Sequence, residues 1–210
     1  MKTRNNKILN MVELAVLVAL VIVLQMLGSF VKIGPLPMSL VLVPIVIGAC
    51  LLGAKAGAFL GAVFGVITMM MGITGVDAFS LLLWESNPVW FVVVCLVKAT
   101  AAGLCAGLVY NFLGRILGDK HTYLRTVLAA VTAPIVNTGI FVVGMLLFFF
   151  ETMQGLPTLY PDAFGQYESA VKLVFIGLAG VNFIGEFVVN LVFSPAMVRI
   201  IDVIKKKIRM

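Results

Sequence analysis

The sequence predicts an all-α integral membrane protein: a compact bundle of six transmembrane helices with both termini in the cytoplasm. Of its 210 residues, 62% are hydrophobic and only 11% are charged, and the mean hydropathy is +1.16. Soluble domains contain roughly 45–50% apolar residues, so this chain has too little polar surface to form a water-soluble globule. Long apolar runs recur along the chain, and basic residues cluster at their ends.

The apolar runs define six spans within a single membrane domain, residues 1–210. A helix needs about 20 mostly apolar residues to cross the hydrocarbon core. The second and third spans are each short enough to be tilted, broken or partly re-entrant, and the sequence LLGAKAG between them predicts a tight turn. Longer, more polar connections are expected over 74–87 and 151–169. The spans lie near 11–31, 38–53, 56–73, 88–113, 126–150 and 170–201.

Basic residues predict the orientation of these spans, because loops rich in Lys and Arg stay in the cytoplasm. Twelve of the 15 basic residues fall on the side of the bundle that holds both termini. The net charge of +6 lies at the ends of the spans and forms no basic patch interleaved with aromatic residues, so no nucleic-acid partner is predicted. The twelve are Lys2, Arg4, Lys7, Lys55, Arg115, Lys120, Arg125, Arg199, Lys205, Lys206, Lys207 and Arg209.

Sequence motifs of membrane enzymes are absent. The chain contains no HExxH zinc motif, no GxSxG nucleophile elbow and no phosphate-binding P-loop. The single histidine, His121, falls in a predicted cytoplasmic loop. Cys50, Cys95 and Cys105 lie within apolar runs, where cysteine is typical of a small buried hydrophobe. We therefore predict that the chain is not an enzyme and binds no metal or cofactor.

Five polar residues within the apolar spans are candidates for a site. The stretch NFIGEFVVN places Asn182, Glu186 and Asn190 on one helix face, four residues apart. Lys98 lies ten residues into the fourth span, and Asn137 lies within the fifth. A charge at the bilayer centre costs at least ~2.5–3.5 kcal/mol on insertion scales, so such residues usually face a cavity or a partner. The depths of Lys98, Asn137, Asn182 and Glu186 predict one layer that lines a substrate pocket open to the outside.

A structural role for the same residues stays open. Lys98 and Glu186 would then form an ion pair that holds the bundle together, and the asparagines would make hydrogen bonds between helices. In the alternative that favours a pocket, Lys98 faces an anionic ligand instead.

The predicted outer loop DAFSLLLWESNPVW adds three candidate binding residues, Trp84, Glu85 and Asn87. An aromatic ring with polar groups beside a pocket is typical of a site for a flat ligand, although Trp84 would also serve as an interfacial anchor. Tyr160 and Tyr167, in the last outer loop, are weaker candidates for a cap on the pocket.

Small residues indicate where helices approach closely. Gly53, Gly57, Gly61 and Gly65 recur every four residues, and Gly103 and Gly107 repeat the pattern in the fourth span. We interpret these glycines as helix-packing positions.

The first span contains Ala15 and Ala19 in an AxxxA pattern, within ELAVLVALVIVLQML. The second runs from an apolar stretch through a proline into a Gly/Ala-rich turn, in SLVLVPIVIGACLLGAKAGAFLGAVFGV. In these motifs, in length and in six-span architecture, the chain resembles the substrate-binding S components of energy-coupling factor (ECF) transporters.

This resemblance implies a function. The chain would be the substrate-capture subunit of an ATP-driven vitamin importer in the plasma membrane of a prokaryote. Its pocket would lie near the outer face, and Ala15 and Ala19 would face a transmembrane T subunit that carries two cytoplasmic ATPases. ATP would be used by these partners and not by this chain.

A second function stays open: a stand-alone proton- or sodium-coupled carrier with Glu186 as the ion site. Such carriers often have paired interrupted helices in two related halves. The sequence shows no such pair, so the S-component interpretation is favoured.

Overall fold

The computed structural model describes residues 2–28, 32–33, 36–37, 40–118 and 121–209. The ends of two predicted spans, 29–31 and 38–39, therefore lie outside the described residues, as does Lys120 from the orientation argument.

The described chain is helical apart from short turns and one β-hairpin, whose two strands have two residues each. Strands β1 (Lys32–Ile33) and β2 (Leu36–Pro37) pair antiparallel, with Ile33 opposite Leu36. The helices are α1 Lys2–Gly28, α2 Leu42–Leu52, α3 Ala54–Ile73, α4 Ala78–Ser86, α5 Pro88–Leu117, α6 Thr122–Phe148, α7 Phe150–Leu159, α8 Pro161–Phe164, α9 Ala170–Lys172 and α10 Val181–Arg209, with a π-helix, Leu173–Gly180, between the last two.

Five helical segments of the described chain are long and apolar enough to cross a membrane. They correspond to five of the six predicted spans. The segments are Lys7–Gly28, Ala54–Ile73, Pro88–Leu117, Thr122–Phe148 and Ala170–Lys206. The placement of both termini in the cytoplasm stays a prediction.

The predicted second span, 38–53, contains the short helix α2. Its 11 residues extend about 16 Å at 1.5 Å per residue, roughly half of a 30 Å hydrocarbon core. Gly53 ends the helix with φ +97°, a left-handed value that favours glycine, and α3 begins at the next residue. Most of α2 is buried, so it is a core helix among the longer ones.

Both connections predicted as polar contain short helices. Residues 74–87 contain α4, which Asp77 caps by accepting a hydrogen bond from the Ser80 backbone N–H at 3.1 Å. Asn87 caps α5 in the same way, with Pro88 at the first helical position. In the connection 151–169, α7 and α8 are separated by Tyr160.

Helices α3 and α5 pack with their backbones in close contact. A side chain added at Gly57 would meet the backbone of Gly103, and one added at Gly61 would meet the carbonyl of Ala99. Gly65 packs against the carbonyl of Cys95 in the same manner. These contacts position α5 on α3, which confirms the packing interpretation for Gly57, Gly61, Gly65 and Gly103. The interpretation is wrong for Gly53, which has open space around it and instead ends α2 with a left-handed φ.

The Gly61 contact predicts a stability effect. Gly61→Ala should lower the free energy of unfolding by about 1–3 kcal/mol, because the new methyl group must push α3 and α5 apart. Thermal unfolding in detergent, followed with a thiol-reactive dye that detects exposure of Cys50 and Cys95, measures the effect.

Gly139→Ala is the matched control, since Gly139 lies in α6 with open space around it. Equal melting temperatures for the two variants would contradict the close packing of α3 on α5.

Candidate functional site

A cavity opens among helices α1, α3, α4, α5, α6 and the α9–α10 segment. Its apolar wall includes Phe64, Phe79, Leu83, Phe91, Val94, Phe141 and Met145. Its polar side chains are Gln25, Thr68, Asp77, Ser80, Lys98, Asn137, Thr138, Asn182 and Glu186.

Four of the residues predicted as a polar layer line this cavity: Lys98, Asn137, Asn182 and Glu186. They come from α5, α6 and α10, which are far apart in sequence. Antiparallel packing of these helices brings the four residues to one level. Their role in binding a substrate stays a prediction.

The three outer-loop candidates lie elsewhere. Trp84 packs edge-on against Phe91, with ring centroids 6.2 Å apart, and is therefore behind the apolar wall. Glu85 is exposed, and the Asn87 side chain accepts the Trp90 backbone N–H at 3.4 Å as the cap of α5. None of the three is among the described residues that line the cavity.

Glu186 is the centre of a hydrogen-bond cluster. Its side chain is 1% exposed. Asn137 Nδ2 donates to Oε2 at 3.2 Å, and Asn182 Nδ2 donates to Oε1 at 3.3 Å. Asn190, one turn further along α10, donates instead to the Glu186 backbone carbonyl at 2.8 Å. Two amides therefore hold the carboxylate, and one of them joins α6 to α10.

Lys98 does not pair directly with Glu186 within the described chain. Its Nζ lies over the ring of Phe141, 5.2 Å from the centroid. A cation on an aromatic face gains roughly 0.5–2 kcal/mol. The ammonium group is consequently positioned in the cavity with capacity for an anionic ligand.

Three further oxygens in the cavity have no hydrogen-bond partner among the described protein groups: Asp77 Oδ1, Asn137 Oδ1 and Thr138 Oγ1. Their side chains are all at least nine-tenths buried. Buried polar atoms are normally hydrogen-bonded. These oxygens therefore suit a ligand that carries hydrogen-bond donors.

Five polar lining residues were not predicted from the sequence: Gln25, Thr68, Asp77, Ser80 and Thr138. Gln25 Nε2 donates to Thr68 Oγ1 at 3.5 Å, which joins α1 to α3 beside the cavity. The pattern DAFS before an apolar run is typical of a helix cap, and it would have placed Asp77 and Ser80 at the start of a helix.

The π-helix Leu173–Gly180 lies directly before Asn182. Its wider turns rotate the following residues relative to a regular α-helix, so they influence which face of α10 carries Asn182 and Glu186. Short π-helical segments occur frequently at functional sites.

Ala15 and Ala19 are exposed on α1, whereas Leu17 and Val21 pack into the core. The AxxxA pair thus lies on the outer surface of the bundle. It precedes Gln25 and Gly28, which lie at the end of α1 and line the cavity.

Comparison with known proteins places the chain in a family. Residues 9–198 match the model of the family "ECF transporter, substrate-specific component". Over 162 residues, the sequence is 26% identical to the pantothenic acid transporter PanT of Lactococcus lactis subsp. cremoris (strain MG1363), covering 72% of this chain and 79% of that protein. The family match includes every residue that lines the cavity.

The cluster around Glu186 predicts a coupled stability effect. Asn137→Ala should cost about 1–3 kcal/mol of unfolding free energy, because Oε2 of a buried carboxylate loses its donor. In combination with Glu186→Gln, the two changes should deviate from additivity by about 0.5–3 kcal/mol. Chemical or thermal unfolding in detergent measures both values.

Asn111→Ala, at an exposed position of α5, is the control and should change stability by less than about 0.5 kcal/mol. Additive effects of Asn137→Ala and Glu186→Gln would show that the two side chains do not interact.

Proposed function

The chain belongs to the family of ECF transporter substrate-specific components, and we propose that it captures pantothenic acid or a close analogue in the cavity described above. Capture of a vitamin-type substrate is the function that the family and the PanT relative support. The observation that supports an acid is the ammonium group of Lys98, which is half-buried in the cavity and not in a direct ion pair with Glu186.

The chemistry of the cavity suits such a molecule. Pantothenic acid carries a carboxylate, an amide, hydroxyl groups and a branched apolar segment. Lys98 is the one cation among the described lining residues, and a charge-assisted hydrogen bond to a carboxylate is about twice as strong as a neutral one. The unpaired oxygens of Asn137 and Thr138 suit the amide and hydroxyl donors, and Phe91 and Phe141 provide apolar contacts.

Transport would depend on other subunits. The proposal includes a transmembrane T subunit with two ATPases, which contacts the exposed face of α1 at Ala15 and Ala19. Small residues four apart permit close approach of a second helix, and both alanines are exposed. The multi-pass chain would operate in the plasma membrane of a prokaryote, with ATP hydrolysed by the partners and no reaction catalysed by this chain.

The Lys98 assignment predicts a selective loss of affinity. Lys98→Met should weaken binding of pantothenate roughly ten- to hundredfold, because the carboxylate loses a charged partner. The same change should leave binding of panthenol, the alcohol analogue without the carboxylate, nearly unaltered. Titration calorimetry of the detergent-solubilised chain with both compounds measures the difference.

Lys172→Met is the matched control, because Lys172 is exposed and pairs with Glu168 outside the cavity. A similar loss for pantothenate and panthenol in Lys98→Met would contradict contact between Lys98 and the carboxylate.

The partner assignment predicts a separation of binding from uptake. In proteoliposomes, the chain alone should bind pantothenate without concentrating it, and addition of the T subunit, the ATPases and ATP should permit uptake. Ala15→Trp should abolish that uptake and preserve binding, because the bulky ring prevents close helix approach.

Ala196→Trp provides the control, since Ala196 is also exposed but lies on α10. Uptake by the chain alone under a proton or sodium gradient would instead support the stand-alone carrier. Loss of binding in Ala15→Trp would exclude the interface role of that residue.

A further inference from the structure

The cavity has a second polar end at the start of α4. Asp77 and Ser80 both line the cavity, and Asp77 is only 7% exposed. Capture of a carboxylate at Lys98 requires neither residue. The carboxylate of Asp77 therefore needs a separate explanation.

Only one of the two carboxylate oxygens of Asp77 is used by the fold. Oδ2 accepts the backbone N–H of Ser80 at 3.1 Å and also accepts the Ser80 hydroxyl. These bonds complete the N-terminal cap of α4. Oδ1 is buried in the wall of the cavity and has no partner among the described protein groups. A helix cap requires one acceptor, so the cap leaves Oδ1 without a hydrogen bond.

Asp77 lines the cavity from the start of α4, whereas Lys98 enters it from α5. Ser80 and the ring of Phe91 both lie against Gly72, so the start of α4 is level with Phe91. Lys98 follows Phe91 by seven residues of α5, about 10 Å at 1.5 Å per residue.

Opposite charges at the two ends orient a ligand. Lys98 attracts a carboxylate, whereas Asp77 repels one and favours a hydrogen-bond donor. Phe79, Leu83 and Phe91 form the apolar surroundings of the Asp77 end. In such surroundings, a donor that reaches Oδ1 contributes strongly to binding, and a ligand without one leaves the carboxylate oxygen unpaired.

We propose that Asp77 is a specificity-determining residue that accepts a hydrogen bond from a hydroxyl group of the substrate, at the end opposite its carboxylate. This inference rests on the proposed function, since it takes Lys98 as the partner of the acid group. The substrate class is thereby narrowed to acids with a hydroxyl group at the end opposite the carboxylate, a description that the terminal hydroxyl of pantothenate fits.

The test is a double-mutant cycle between the protein and the ligand. The detergent-solubilised full chain and its Asp77→Asn variant are each titrated with pantothenate and with the analogue that lacks the terminal hydroxyl. Asparagine is as good a helix cap as aspartate, so its oxygen should bind the Ser80 N–H and its NH₂ group should face the cavity. Asp162→Asn, the same change at an exposed position of α8, is the matched control.

The unaltered chain should prefer pantothenate over the deoxy analogue by roughly ten- to hundredfold, and Asp77→Asn should reduce this preference to roughly two- to tenfold, because the hydroxyl then meets an uncharged amide NH₂ group instead of a carboxylate oxygen. Asp162→Asn should keep the full preference. An equal loss of affinity for both ligands in Asp77→Asn would overturn the inference and leave Asp77 with its capping role alone.

The unaltered chain provides a second measurement that does not depend on folding of the variant. Equal binding of pantothenate and the deoxy analogue would overturn the inference, while the proposed function would stand. Failure of the unaltered chain to bind pantothenate would overturn both.

Discussion

The carboxylate of Glu186 is buried in a bundle whose outer surface is in lipid, and it must be paired within the protein. Two amides satisfy it, one from Asn137 on α6 and one from Asn182 on the same helix. The two amides hold both carboxylate oxygens, and Lys98 lies over the Phe141 ring without a direct ion pair to Glu186. The cavity therefore combines a carboxyl group held by two amides with an ammonium group that has no direct ion pair among the described residues.

Helix α1 joins the two proposed sites of action. Gln25 lines the cavity and bonds to Thr68 on α3, whereas Ala15 and Ala19 are exposed nearer the N-terminus. Ala19 and Gln25 are six residues apart, about 9 Å along one helix. One continuous helix thus carries residues of both the proposed ligand site and the proposed partner surface. The two surfaces are at different places along α1 but belong to the same helix.

Much of this arrangement can be predicted from the sequence, because a helix in lipid needs about 20 mostly apolar residues to cross the hydrocarbon core. Five spans can be predicted from the lengths of the apolar runs. The shared depth of Lys98, Asn137 and Glu186 in the bundle can be predicted by counting residues from the end of each span. The rest depends on details that length does not determine. Trp84 and Glu85 were predicted beside the pocket, but α4 is a helix, and its rotation presents Ser80 and Leu83 to the cavity instead. Thr138 and Gln25 give no sequence signal, because such residues are common in helices of every kind.

The central claim is that the cavity holds an acid of the pantothenic type without help from any partner. Its most direct test is to express the chain alone with added pantothenate, purify it in mild detergent, and identify by mass spectrometry the small molecule released on denaturation. We predict that pantothenate or a closely related hydroxy acid is released in stoichiometric amount. Release of a compound without a carboxylate, or recovery of a folded chain with no bound acid, would contradict the account.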